Sequence, residues 1–348
     1  EFLHHEVESL ADLSAFLQDV ARLAGVSLGT VSNVLNNPNM VKPATAEKVS
    51  RAIEQLGFVR NDAARQLKAG KSQTLGMIVF DAGNPFFAEM ARGAEDHSAE
   101  RGYSVLLGNS DNKYDREKKY LQLFDEQRVA GVLVSPTNDI YDQITELRSH
   151  GTQTVVIDRK ADSDRCCSVS VDDFAGGKTA VEHLLSIGRR KIAFVGGPIT
   201  IQQVADRLAG AMAAVNEFGP AATLSVIEST AQTVIAGRNV GQAIAQRAAA
   251  DRPDAIFAAN DLLAMGIVQA FMFNNEIAIP QDVALIGYDD IDFAEAAVVP
   301  LSSIRQPARL IGETAIELVL SEINEPQGHV HQQVTYQPEL VVRASTRV

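Results

Sequence analysis

A chain of 348 residues is too long for one ordinary domain and long enough for a small module beside a large two-lobed one. Its 46% hydrophobic and 22% charged residues suit a folded soluble protein, and no apolar run reaches the roughly 20 residues of a membrane helix, so neither a membrane span nor a disordered chain is expected. The net charge of −13 argues against nucleic acid only on average, because eight Lys/Arg stand against four Asp/Glu between Leu17 and Lys71 while the segments on either side are acidic. A basic head on an acidic body suits local phosphate neutralisation, with a merely solvated basic face as the plain alternative.

The first sixteen residues carry acidic charge and no apolar core behind basic residues, which is not how a secretory signal is built. Apolar periodicity broken at Gly25, at Asn36-Asn37-Pro38 and at Gly57 then predicts a three-helix unit over residues 17–58. Gln18 to Ala24 reads as a helix, Gly25 as its turn, and Ser27 as the cap of a second helix, able to accept a backbone N–H of the turn that follows. That second helix, residues 28–36, puts Val31, Val34 and Leu35 on one face and leaves Leu28, Gly29, Thr30 and Asn33 elsewhere. A generic helical hairpin would carry the same stripe. Residues 59–72 form a linker: Arg60 to Gly70 is helical in composition but shorter than the ~12 residues an isolated helix needs in water.

From Thr74 the pattern changes. Apolar runs at residues 75–80, 104–107, 131–134 and 154–157, and again at 191–195, 255–258 and 283–287, alternate with helical stretches. Continuous apolar strands between helices predict an α/β body of two doubly wound parallel sheets over residues 73–348, with a ligand crevice at the carboxyl ends of the strands. The lobes are expected at residues 73–169 with 303–334 and at 170–302 with 335–348, joined by crossings near 168–170, 302–303 and 335.

Just past predicted strands lie Asp81, Asn84, Phe86, Phe87, Asp158, Arg159, Asn260, Asp261 and Asp289, with Arg207 at a loop-to-helix stretch and Gln306 in a return segment. Planar polar partners and aromatic plates suit the hydroxyls and flat C–H faces of sugars, although two phenylalanines at a helix start are core residues by default. Other motifs lead nowhere. Gly176-Gly177-Lys178-Thr179 lacks the earlier glycine of a phosphate loop, since Asp172 stands there. Cys166 and Cys167 are adjacent, which strains a disulfide and suggests reduced thiols in a cytoplasmic protein, and the seven histidines lack metal spacing. No nucleophile elbow is present. Hence no catalytic residue, cofactor or metal is expected.

Asp19-Val20-Ala21, Ala24-Gly25-Val26-Ser27, Thr30-Val31-Ser32, Val34-Leu35-Asn36 and Ala52-Ile53-Glu54-Gln55-Leu56-Gly57-Phe58 together resemble the head of the LacI/GalR repressor family, and residues 17–348 follow its pattern. The resemblance implies a helix-turn-helix in which Leu28 and Gly29 open the recognition helix toward the major groove while Thr30, Ser32 and Asn33 face bases or phosphates. Asn33 departs from the family's usual arginine, replacing a partner for guanine with one for adenine. Phe16 and Lys42 replace usual capping residues, with Ser14 a substitute for the first. Glu1 to Ser14 matches nothing in the family, and residues 1–16 read as a leader of uncertain origin. The linker is implied to fold as a hinge helix on operator DNA, paired with its dimer mate; Leu67 would wedge a minor-groove base step, Ala64 pack beside it, and Asn61, Arg65 and Gln66 reach phosphates or groove edges.

The body also resembles periplasmic ribose-type binding proteins. That likeness implies sugar contacts from Asn84, Phe86, Phe87, Asp158, Arg159, Arg207, Asn260, Asp289 and Gln306, with the second lobe's aromatic position falling near Gln232. A ribose-like pentose, or a nucleoside containing one, is favoured over a hexose. The expectation is a homodimeric, sugar-responsive repressor bound to pseudo-palindromic operator DNA and not to membrane. A transport solute-binding protein would share the body but carry an export signal in place of residues 17–70, and an enzyme would need a nucleophile or metal set.

Overall fold

The computed structural model describes residues 10–36, 40–56, 72–162, 164–274, 277–326 and 328–347. The chain divides into two compact units, Glu1–Ser72 and Gln73–Val348.

In the first unit, α1 (Leu10–Ala24), α2 (Leu28–Asn36) and α3 (Pro43–Gln55) close around Val20, Val31, Val49 and Ala52, each at most 3% exposed. Val34 and Leu35 pack against this core, as the stripe on α2 predicts. Gly25 ends α1 at φ +64°, where Val26 N–H reaches back to the Ala21 carbonyl at 3.0 Å. Ser27 caps α2, its Oγ accepting Thr30 N–H at 3.1 Å. One expectation is corrected. α1 begins at Leu10, inside the segment expected to lie outside the domain, because Leu10, Leu13 and Leu17 continue the helical apolar period. Ser14 therefore lies within the helix and not ahead of its start. α3 starts at Pro43 with no side-chain cap from Lys42.

The second unit begins with β1 (Thr74–Val79), α4 (Pro85–Ala99), β2 (Ser104–Asn109), α5 (Tyr114–Glu126), β3 (Gly131–Val134), α6 (Tyr141–Ser149), β4 (Gln153–Ile157) and β5 (Cys167–Val171). It continues with α7 (Asp173–Ser186), β6 (Lys191–Gly196), α8 (Gln202–Phe218), β7 (Thr223–Glu228), α9 (Val234–Ala245), β8 (Ala255–Ala258), α10 (Asp261–Asn274) and β9 (Ala284–Asp289). It ends with α11 (Asp292–Ala296), β10 (Ser302–Arg305), α12 (Ala308–Asn324), β11 (Gln333–Tyr336) and β12 (Glu339–Val341).

Two six-stranded sheets result, ordered β11-β5-β4-β3-β1-β2 and β12-β10-β9-β8-β6-β7. All pairs are parallel except β10 with β12. Each sheet is covered on both faces, which is why β1, β3, β4, β8 and β9 are almost continuously apolar and buried. The second core stacks Phe194 edge-on to Phe257 at 5.3 Å.

The crossings fall slightly later than expected. Val171 still pairs with Tyr336 in the first sheet, and Arg305 still pairs with Asp289 in the second, so the chain changes lobe only after Val171, Arg305 and Tyr336.

α7 and α8 pack at close range through glycine. A Cβ on Gly177 would lie 2.0 Å from the Arg207 carbonyl oxygen, and one on Gly210 would lie 2.0 Å from that of Phe174. Gly177 and Gly210 thus seat the helix that carries Arg207.

Candidate ligand cleft and DNA-contacting helix

Two strand ends supply the carboxylates of the cleft. Asp158 follows β4 in the first lobe, Asp289 closes β9 in the second, and both hold positive φ, 63° and 105°, a backbone state that non-glycine residues seldom adopt and that concentrates at binding sites. Each is 6% exposed.

Each carboxylate is met by a carboxamide from the opposite lobe. Asn84 Nδ2 donates to Asp289 Oδ2 at 2.9 Å, while Gln203 Nε2 donates to Asp158 Oδ2 at 2.8 Å. Asn84 has little freedom. It is the N-cap of α4, its Oδ1 accepting Phe86 N–H at 3.0 Å with Pro85 at the first helical position, so its amino group is left to face Asp289.

Arg207 of α8 supplies the buried cation. Its Nε donates to Asp173 Oδ1 at 2.7 Å, its Nη1 to the Ala259 carbonyl at 2.7 Å, and its guanidinium carbon lies 3.7 Å over the Tyr288 ring. Asp289 Oδ1 is 3.9 Å from Nη1. Three buried carboxylates share this one arginine, and the balance shows in their titration. Burial, then the charge of Asp173, pushes Asp158 up to about 8 despite Arg207. Burial also raises Asp289, to about 6, against the opposing pull of Arg207. Asp173 is raised by burial as well, with Arg207 acting the other way.

Of the residues predicted for this site, Asp81, Asn84, Phe86, Phe87, Asp158, Arg207, Asn260 and Asp289 line one cleft. Phe86 and Phe87, edge to face at 5.0 Å, line the cleft and are also core residues. Asn260 caps α10, accepting Leu263 N–H at 2.9 Å, and donates to the Gln232 carbonyl at 3.2 Å.

Three predicted residues lie off the cleft wall. Gln306 stands behind Asp289, donating to its Oδ1 at 2.8 Å. Asp261 is fully buried beneath β9, accepting Ser303 Oγ–H at 2.7 Å and Ile291 N–H at 3.0 Å. Arg159 donates to the Asn138 carbonyl at 3.2 Å and lines a neighbouring opening of about 410 Å3, which shares Asp158 and Gln203 with the cleft. Gln203, Asp173 and Tyr288 went unseen in the sequence, although Gln203 opens a helix after a strand, the signal that marked Asn84.

The cleft encloses about 50 Å3. That is room for a few waters, well below the roughly 300 Å3 at the small end of ligand pockets.

On the head, Leu28, Gly29 and Asn33 of α2 are exposed and Thr30 and Ser32 half-buried, while Val31 points into the core. The predicted hinge contacts Asn61, Ala64, Arg65, Gln66 and Leu67 lie outside the described residues.

The family model of bacterial regulatory proteins of the lacI family matches residues 16–61, and that of a periplasmic binding protein-like domain matches residues 181–346. The HTH-type transcriptional repressor PurR of Photobacterium profundum is 34% identical over 336 residues, 96% of this chain and 99% of that protein. A LacI family transcriptional regulator from Enterococcus faecium, solved with bound ribose, is 28% identical with a TM-score of 0.71 over 78% of this chain and 98% of its own. The Lac repressor dimer bound to operator and the anti-inducer ONPF shares the fold, with a TM-score of 0.78 at 24% identity over 95% of this chain and 99% of its own. A helix-turn-helix head joined to a two-lobed binding body defines a DNA-binding transcriptional repressor with a ligand-binding domain. The chain belongs to the LacI family of bacterial regulatory proteins.

Proposed function

We propose that this repressor acts as a homodimer on a pseudo-palindromic operator, with half-sites about one helical turn apart, and that a small sugar bound between the lobes releases it. The favoured ligand is a ribose-like pentose or a nucleoside containing one. The observation that carries the reading is the pair of carboxamide–carboxylate bridges across the cleft, Asn84 to Asp289 and Gln203 to Asp158, set around Arg207 and beside Phe86 and Phe87. A polyhydroxylated ligand would take over these same donors and acceptors, since a hydroxyl both donates to a carboxylate and accepts from a carboxamide.

With about 50 Å3 in the cleft around Asn84, Arg207 and Asp289, the lobes must part there before such a ligand enters. Binding then shifts the population of lobe arrangements. Support for a pentose comes from the Enterococcus faecium regulator, which was solved with ribose. The coupling to DNA runs through residues 59–72: hinge helices of two protomers pair only at one spacing of their bodies, with Leu67 as the wedge and Asn61, Ala64, Arg65 and Gln66 beside it.

A thermal-shift panel of pentoses, hexoses, nucleosides and phosphosugars tests the ligand class. A rise in melting temperature confined to ribose-like compounds is expected. A shift with hexoses alone, or with no sugar at all, would refute the pentose reading while leaving the repressor assignment intact.

A further inference from the structure

At the amino end of β5, the edge of the first sheet opposite the ligand cleft, four side chains of unlike chemistry converge. Cys167 comes from β5, Glu322 from the last turns of α12, and His329 and His331 from the extended segment that leads into β11. Their donor atoms lie within 4.8 Å of one another. Cys167 Sγ is 3.1 Å from His329 Nε2 and 3.9 Å from His331 Nδ1. The alternation His329-Val330-His331 brings this about, because an extended chain turns residues two apart to one side, leaving Val330 77% exposed on the other.

Two features point to a ligand. Glu322 is 4% exposed, and while its Oε1 accepts from Arg148, its Oε2 is buried with no hydrogen-bond partner. Such an atom is costly to leave unsatisfied. In addition, the backbone N–H of Gln332 donates to Cys167 Sγ at 3.3 Å, which holds the sulfur in place beside the two imidazoles.

We propose that Cys167, Glu322, His329 and His331 bind one divalent transition-metal ion of the zinc class. A thiolate, two imidazoles and a carboxylate form a borderline-soft donor set that suits zinc and is wrong for magnesium or calcium, which take oxygen ligands. Bond lengths of roughly 2.0–2.3 Å about a tetrahedral centre put donors roughly 3.3–3.8 Å apart. The two sulfur–nitrogen separations, 3.1 and 3.9 Å, bracket that range, so the site closes by small side-chain shifts.

Coordination by Cys167 replaces its thiol proton with the metal, so one proton leaves per ion bound. His331 coordinates through Nδ1 and keeps its proton on Nε2. Arg148, 3.2 Å from that nitrogen, then turns to its other partners, Glu322 and the Arg165 carbonyl. The filled site ties α12 to β5 and to the strand that leads into the third crossing.

Cobalt(II) and zinc(II) titrations of the chelator-stripped full chain test this. Expected is one cobalt per chain with a thiolate-to-metal charge-transfer band and intense tetrahedral visible bands, displaced by zinc. Cys167→Ser should abolish the charge-transfer band, His329→Gln and His331→Gln should each weaken zinc binding at least roughly 10-fold, and Cys166→Ser should leave both unchanged. His329 is half-buried, so its variant reports on the site even if Cys167→Ser fails to fold. Cobalt bound in octahedral form without the thiolate band, or zinc affinity equal in wild type and the His329 and His331 variants, would overturn the proposal and leave the cluster a neutral polar network. Neither readout depends on sugar or operator binding.

Discussion

Asn84 and Asp289 stand 205 positions apart in sequence, and the 2.9 Å hydrogen bond between them spans the two lobes. Because Asn84 Oδ1 is committed to capping α4, Asn84→Asp separates the two jobs of this side chain. The cap survives, but a carboxylate now faces Asp289. A loss of roughly 1–3 kcal/mol is expected in urea denaturation, the scale of a buried group left without its partner. Wild-type stability in the variant would show that the bridge contributes nothing.

Arg207 compensates Asp173 and Asp289 in a site where it is itself almost fully buried. Arg207→Ala leaves both carboxylates without their cation and should cost about 3–5 kcal/mol. Combining Arg207→Met with Asp173→Asn should recover much of that loss. A double-mutant cycle with no coupling energy would contradict the pairing.

Asp158 gives stability a pH dependence of predictable sign. Its folded pKa of about 8 lies above the ~3.9 of an unfolded aspartate, so between those values the folded protein holds a proton that the unfolded chain has lost. Its contribution is complete below about pH 4 and is lost as pH rises through about 8, with Asp289, raised to about 6, adding to the lower part of that window. Urea midpoints should therefore fall between acid and alkaline buffers. Asp158→Asn should flatten the upper part of the profile, and an unchanged slope would show that another group sets it.

Gly177→Ala probes the seating of α8. Its Cβ would come within 2.0 Å of the Arg207 carbonyl oxygen, so the helix must shift and take Arg207 with it. A cost of about 1–3 kcal/mol is expected from overpacking, together with weaker ligand binding in calorimetry. Unaltered stability and affinity would mean that α7 and α8 can separate freely.

Much of this was legible in the sequence. Buried parallel strands such as β1, β3, β4 and β8 read as apolar runs because both their faces are covered, and polar residues just past them marked most of the cleft. β7 carries no clear apolar run because it is a largely exposed sheet edge, and β5, Cys167-Ser168-Val169-Ser170-Val171, carries none because its buried serines interrupt it. Which residue touches the cleft and which stands behind it was not legible. Asp261 and Gln306 share the residue types and strand-end positions of Asn260 and Asp289, and only packing assigns them to supporting roles. The convergence of Cys167 with His329 and His331 was invisible for a similar reason: the pairing of β5 with β11 joins segments 162 and 164 positions apart.

Asn33 carries a prediction about the operator. It is exposed on α2, where a carboxamide suits adenine and a guanidinium suits guanine. Asn33→Arg should shift the preferred base at one position of each half-site from adenine to guanine, with roughly 1–3 kcal/mol of discrimination in binding to randomised operators. An unchanged consensus would remove Asn33 from base recognition.

The coupling of cleft to DNA is tested most directly by fluorescence anisotropy of the full chain on the promoter fragment beside its own gene, with and without the sugar that raises its melting temperature. Tight binding that falls at least roughly 10-fold on adding that sugar is the predicted result, a coupling within the usual allosteric range. Operator affinity that stays the same when the cleft is saturated would contradict it.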